Sequence, residues 1–169
     1  MVVLEKIVSG GQTGVDRAAL DAALAAGVAC GGWCPRGRWA EDGPIASRYP
    51  LVETPQATPA QRTAWNARDA EATLVVTRGA PRGGTALALE RARAEERPVL
   101  VLDLAADCDL AALERWLERC AVRVLNVAGP RESEAPGIYE ESLRLLAALL
   151  ARRSSPRGDS PPAKPPIHR

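Results

Sequence analysis

The chain contains no phenylalanine, two tyrosines, four tryptophans, one methionine and a single histidine, His168. With so few aromatics, core volume must come mainly from Leu, Val and Ala. One histidine near the end of the chain leaves the body without the commonest acid–base and metal-binding side chain. No apolar run approaches the length needed to span a bilayer. The opening MVVLEKIVSGG carries Glu5 and Lys6 where a signal peptide keeps an unbroken apolar stretch, so it reads as a first strand. This points to the cytoplasm, with Cys30, Cys34, Cys108 and Cys120 as free thiols. Three residues separate Cys30 from Cys34, not the two of a redox or zinc pair, and no second pair follows at zinc-site spacing. No structural metal is expected, and no membrane contact.

Charge excess is also missing. The formal net charge is +1, but residues 152–169 hold five Lys/Arg against one acidic residue, which leaves the body at −3. A nearly neutral body without a clustered basic face argues against nucleic acid as a partner. Three catalytic or nucleotide signatures are absent too. There is no GxSxG elbow, no Gly-Lys-Ser/Thr after the first glycines, and no GxGxxG, because Gly10, Gly11 and Gly14 are spaced differently. NAD binding and ATP hydrolysis are therefore not indicated.

What is present is regular. At 169 residues, 46% apolar and 25% charged, the chain suits one soluble domain, residues 1–151. Residues 152–169, rich in Pro, Ser, Gly and Arg, read as a disordered tail. Lys6–Ser9 reads as a strand and Val15–Ala26 as a helix stopped by Gly27. Leu51–Glu53 is a short strand. Thr58-Pro59-Ala60-Gln61 predicts a helix start with a capping box, running to about Ala70. Thr73–Thr77 and Val99–Asp103 suit strands buried on both faces, with a helix from about Thr85 to Glu96 between them. Asp109 caps a helix whose apolar face is Leu110, Leu113, Trp116 and Leu117. Val122–Gly129 is the last strand and Ile138–Ala151 the last helix. The alternation predicts an α/β fold with a mostly parallel sheet covered by helices on both faces. Cys30–Tyr49 is the exception, a long connection rich in Gly, Pro, Arg and Trp, with a short strand near Gly31–Trp33.

Three strand-to-helix loops fall at the carboxyl edge of such a sheet, where ligands bind. They are Gly10–Arg17, Arg78–Thr85 ("RGAPRGGT") and Gly129–Gly137 ("GPRESEAPG"). Each joins glycines to a helix N-terminus, whose free N–H groups favour an anion. Arg78, Arg82 and Arg131 suit bidentate phosphate contacts. The three loops together point to a phosphate-bearing ligand, with the glycines letting the backbone approach it. Thr13 and Asp16 fit a capping box or a ligand contact. Asn66 and Asp69, three apart on one helix face, fit a solvated surface or a neighbouring site.

Five stretches occur in order: SGGQTGVDRAALDAAL, GGWCPRGRWAEDGPI, NARDAEATLVVTRGAPRGGT, RPVLVLD and LNVAGPRESEAPGIY. Together they resemble the molybdenum-cofactor carrier family, a branch of the SLOG superfamily, over about residues 4–150. The resemblance implies a Rossmann-like three-layer α/β/α sandwich that forms a homo-oligomer, a dimer or tetramer. It also implies a binding role: holding molybdenum cofactor, a phosphorylated pterin (molybdopterin) with a dithiolene-bound metal, for delivery to a recipient molybdoenzyme. The pocket it implies uses Gly10, Gly11, Gln12, Thr13 and Gly14, beside Asp16 and Arg17. Asn66, Asp69, Gly83, Gly84 and Thr85 follow, then Asn126, Gly129, Arg131, Glu132 and Ser133. Trp33, Cys34, Pro35 and Arg36 form a wall or lid. Cys34 is not expected to ligate the metal, because the dithiolene already supplies sulfur.

An alternative comes from the wider superfamily, whose nucleotide phosphoribohydrolases carry a Glu three residues past the Thr of a Gly-Gly-x-Gly-Thr loop. Here that position is Ala88, and Glu90 faces elsewhere on a helix. A sensor of a nucleotide-like small molecule is a third class.

Overall fold

The computed structural model describes residues 1–106 and 108–153. Its elements in chain order are β1 (Lys6–Val8), α1 (Val15–Ala26), β2 (Ala29–Cys34), β3 (Trp39–Ala40), β4 (Gly43–Pro44) and β5 (Leu51–Glu53). They continue with α2 (Pro59–Arg68), β6 (Ala72–Thr77), α3 (Gly83–Ala94), β7 (Val99–Asp103), α4 (Leu110–Arg119), β8 (Val124–Ala128) and α5 (Ile138–Arg153). The last helix runs two residues past Ala151, because Arg153 is buried and paired with Glu114 and Glu118. Residues 154–169, the rest of the tail, lie outside the described residues.

Six strands form one parallel sheet in the order β5-β2-β1-β8-β6-β7. The chain winds outward from β1 to β5, crosses to β6 and β7, and returns to insert β8 between β1 and β6. The two sheet faces differ in chemistry. Ile7, Leu74, Val76, Leu102, Leu125 and Val127 join the helical residues Leu113, Trp116, Leu146, Leu149 and Leu150 in the main core. Ala19, Ala22 and Ala23 on α1 keep its surface low, so that α5 packs closely against it. Each fully buried leucine adds about 1.5–3 kcal/mol. The opposite face carries Gly31, Thr73, Val75 and Asn126, with Thr73 and Asn126 in register. α2 and α3 pack together on that side. The α/β sandwich with a parallel sheet is thus as the alternation predicted.

The long connection is ordered by an arginine. Arg38 has a left-handed backbone, φ 51°, and its guanidinium donates to the carbonyls of Ile45, Ala46, Tyr49 and Leu51. These bonds fold the segment into the β3–β4 hairpin over a second small core of Leu20, Cys34, Ala40, Ile45, Tyr49 and Leu51. The four cysteines are unbridged. Among the described residues no helix is long and apolar enough to cross a membrane.

Candidate functional site

A cavity of about 320 Å³ opens beyond the carboxyl ends of β1 and β8, where the winding direction reverses. That is the place where open α/β sheets bind ligands, and the volume is at the lower end of the small-molecule range. Gly10, Gln12 and Asp16 reach it from the first loop and α1. Arg62, Thr63 and Asn66 reach it from α2, Gly84, Thr85 and Ala88 from α3, and Asn126, Gly129 and Arg131 from β8 and its loop. A second cavity, also of about 320 Å³, adjoins it and is lined by Thr77, Arg78, Arg82, Gly83 and Thr85.

The glycines of the three loops turn out to serve different purposes. At Gly10 an added methyl would overlap the guanidinium of Arg62, and at Gly11 it would reach Leu51 and Ile45 side chains. At Gly14, φ 75°, it would collide with the Pro130 carbonyl, and at Gly129 with the Val76 carbonyl and Val15. The close approach at these four positions is made by the chain's own atoms. Gly83 and Gly84 are different: Gly84 has nothing within 4 Å, and Gly83 only Glu134 Oε1 at 4.0 Å. The N-terminus of α3 is therefore sterically open. Beside it Thr85, 3% exposed, has a hydroxyl without a hydrogen-bond partner, an uncommon condition for a buried polar group.

The first and third loops already hold an anion of the protein's own. Glu41, at the tip of the β3–β4 hairpin, accepts from the Thr13 hydroxyl and from the Ser133 backbone N–H at 3.2 Å. Its own N–H donates to Gln12 Oε1 at 2.9 Å, and Arg131 stands 3.9 Å from its carboxylate. Burial pushes the Glu41 carboxyl up, but hydrogen bonds from Ser133 and Thr13 outweigh this and hold it below the ordinary value. Neighbouring Asp42 pairs with Arg17 at 3.0 Å, and Arg17 also donates to the Gly11 carbonyl. Thr13, Gly14, Arg17, Glu132 and Ser133 face a separate, open groove rather than the cavity. Glu132 also accepts from the Gly137 and Tyr139 amides, which anchors the start of α5.

The two predicted capping boxes are not formed. Gly14 and not Thr13 is the N-cap of α1, while Asp16 pairs with Arg62 at 3.2 Å. Thr58 makes no side-chain cap bond, and Gln61 accepts from the Gln56 amide instead. Asp109 does cap α4, accepting from Ala111 N–H at 2.9 Å.

Most of the remaining predicted residues lie elsewhere. Asn66 lines the cavity, but its amide clamps the Trp33 backbone, accepting from N–H at 2.7 Å and donating to C=O at 3.0 Å. β1 ends alongside Gly31, so Asn66 supplies the partner that the sheet no longer does. Asp69 sits outside, accepting from Trp33 Nε1 at 2.7 Å and pairing with Arg68. Cys34 is fully buried in the second core, its thiol pushed up by burial, and Pro35 is buried beside it. Arg36 is exposed. The wall of the cavity on this side is Trp39 of the hairpin, whose indole donates to the Ala57 carbonyl at 3.0 Å. Arg78 is engaged by Glu141 at 2.6 Å and the Pro136 carbonyl.

Arg62 was not visible as a site residue from motif spacing. Its position four residues before Asn66, on one face of α2, is the signal that would have found it. Asp16 is 4% exposed, and burial pushes its carboxyl up against the opposing pull of Arg62.

Fold and cavity together define a Rossmann-like α/β protein with a ligand-sized recess at its topological switch point. A family model, the circularly permuted YpsA SLOG family, matches residues 7–150, and the chain belongs to that family. A crystal structure from Syntrophus aciditrophicus, of a protein called "putative molybdenum carrier protein", is similar at 39% identity and a TM-score of 0.85. The similarity covers 88% of this chain and 96% of that one. No curated protein matches the chain.

Proposed function

We propose that the chain is a cytoplasmic carrier that binds molybdenum cofactor as cargo and passes it to a recipient molybdoenzyme, working as a homo-oligomer. The observation that carries this reading is the cavity joined to the unobstructed N-terminus of α3. There Gly83 and Gly84 leave open space where side chains would stand, beside the unpartnered Thr85 hydroxyl. A phosphate fits this end on chemical grounds, since the N–H groups and helix dipole favour an anion. Arg131 is the cation at the cavity rim, 42% exposed and bridged to Glu134 at 3.2 Å. The wider cavity, with Asn126, Gln12, Asp16 and Arg62, suits the polar heterocycle of a pterin. Similarity to a protein called "putative molybdenum carrier protein" supports a molybdenum-bearing cargo.

The position that bears the hydrolase carboxylate in nucleotide phosphoribohydrolases is Ala88 here; it lines the cavity, whereas Glu90 is exposed. A carrier needs affinity and no water-activating base at that point.

The test is an anaerobic titration with molybdenum cofactor, following bound pterin. Arg131→Ala should weaken binding by about 1.5–3 kcal/mol, on the order of 10- to 100-fold in Kd. Unchanged affinity would remove Arg131 from the site, and no binding by the parent chain would remove the carrier reading.

A further inference from the structure

The Arg62–Asp16 pair is not accounted for by packing. The Arg62 side chain is 14% exposed and that of Asp16 5%, and among the described residues the guanidinium makes one hydrogen bond, to Asp16 Oδ2 at 3.2 Å. Its Nε is buried with no partner at all. A guanidinium has five N–H donors, and one held this deep ordinarily distributes them. Arg38 does so, over four backbone carbonyls. Burying an ion pair without satisfying the rest of its donors costs stability compared with an apolar pair of the same size. The chain also gives up a side chain at Gly10 to make room for it.

Both residues line the cavity. As a pair they are formally neutral, so they do not attract a phosphate; the open α3 N-terminus does. A ligand anchored there by its anion brings its uncharged ring towards Asp16 and Arg62. Side by side, they offer a carboxylate that accepts and a guanidinium that donates. The complement of that pattern is a ring edge with N–H donors next to a carbonyl.

We propose that Asp16 and Arg62 recognise the amino–oxo edge of a 2-amino-4-oxopyrimidine ring, the edge that pterins and guanine share. Asp16 accepts from the exocyclic amino group and the ring N–H, and Arg62 donates to the carbonyl. This assignment rests on the phosphorylated-ligand reading above and names the part of the ligand that sets specificity.

The experiment is isothermal titration calorimetry of the full chain with two matched pairs of probes. One pair is neopterin monophosphate and its deaminated lumazine counterpart; the other is GMP and IMP. Each pair keeps the phosphate and changes the amino group. In the tighter-binding pair, loss of the amino group should weaken binding by at least about 5-fold, because a site built around a donor is left with an unpaired acceptor. Which pair binds more tightly identifies pterin or guanine as the source of the edge. Asp16→Asn, checked for folding by circular dichroism, should abolish the discrimination while phosphate-dependent binding remains. The parent-chain series decides the matter even where that variant does not fold. Discrimination below this threshold in both pairs, or discrimination retained by a folded Asp16→Asn, overturns the edge assignment and leaves the phosphorylated-ligand reading intact. Failure of all four probes to bind at millimolar concentration overturns both.

Discussion

Gly10 in the first loop and Gly84 in the first turn of α3 stand at the same edge of the sheet, and a side chain at each would meet different things. A methyl at Gly10 meets Arg62, while one at Gly84 meets open space. Gly10→Ala must displace the guanidinium and strand the buried Asp16 carboxylate, an expected loss of about 2–4 kcal/mol in urea denaturation. Gly84→Ala lies in a helix at an ordinary backbone angle and should gain about 0.5–1 kcal/mol through reduced unfolded-state entropy. Gly84 lines the cavity, so a methyl there takes up space at its α3 wall, and cofactor binding should weaken although stability rises. A destabilised Gly84→Ala protein, or one with unchanged affinity, would contradict this placement of the anion. The sequence shows glycines at both loops. It does not show whether a ligand or the chain's own atoms need the space, because the neighbours come from distant segments such as α2 and β5. Arg62 was missed for the same reason: its partner is 46 residues away in Asp16.

At the scale of elements, the β3–β4 hairpin ties the first and last loops together through Glu41 and Asp42. Hydrogen bonds hold the Glu41 carboxyl below its ordinary value despite burial, and the Arg17 hydrogen bond does the same for Asp42. A carboxylate with a depressed folded-state value stabilises its contacts fully above about pH 4.3. That contribution is lost as pH falls through the lower, folded-state value. Amide-exchange protection at Ser133 and Glu41 should therefore hold at neutral pH and fall in that acidic window, and Glu41→Gln should lose it already at neutral pH. Protection indifferent to both changes would show that the hairpin is held by its core alone. The hairpin itself was illegible: two-residue strands carry no periodic signal, and Arg38 shapes the segment through four carbonyls that no local pattern identifies. By contrast, the start of α4 and most of its apolar face were legible, although Leu110 is only half-buried. Asp109 caps it, and Leu113, Trp116 and Leu117 are buried where their spacing put them. The failed capping boxes at Thr13 and Thr58 mark where other partners took the side chains first: the distant Glu41 and Glu132 amide for Thr13, and the local Gln56 amide for Gln61.

For the whole molecule, alternating strand and helix patterns were enough to read a parallel α/β sandwich, since continuous apolar strands must be covered on both faces. Strand order was not readable. Insertion of β8 between β1 and β6 depends on contacts far apart in the chain, and it is this insertion that puts the third loop beside the first. The sheet then presents an aliphatic face to α1, α4 and α5 and a smaller, more polar face to α2 and α3, and the cavity forms on the polar side. That division makes the carrier reading a claim about one recess and not about a diffuse surface. Its most direct test is the molybdenum and oxidised-pterin content of the full chain purified anaerobically from a cofactor-producing host. The account predicts pterin and molybdenum in near-equal amounts approaching one per chain, both reduced in Arg131→Ala. A chain that carries neither, and takes up neither when intact cofactor is supplied, would contradict it.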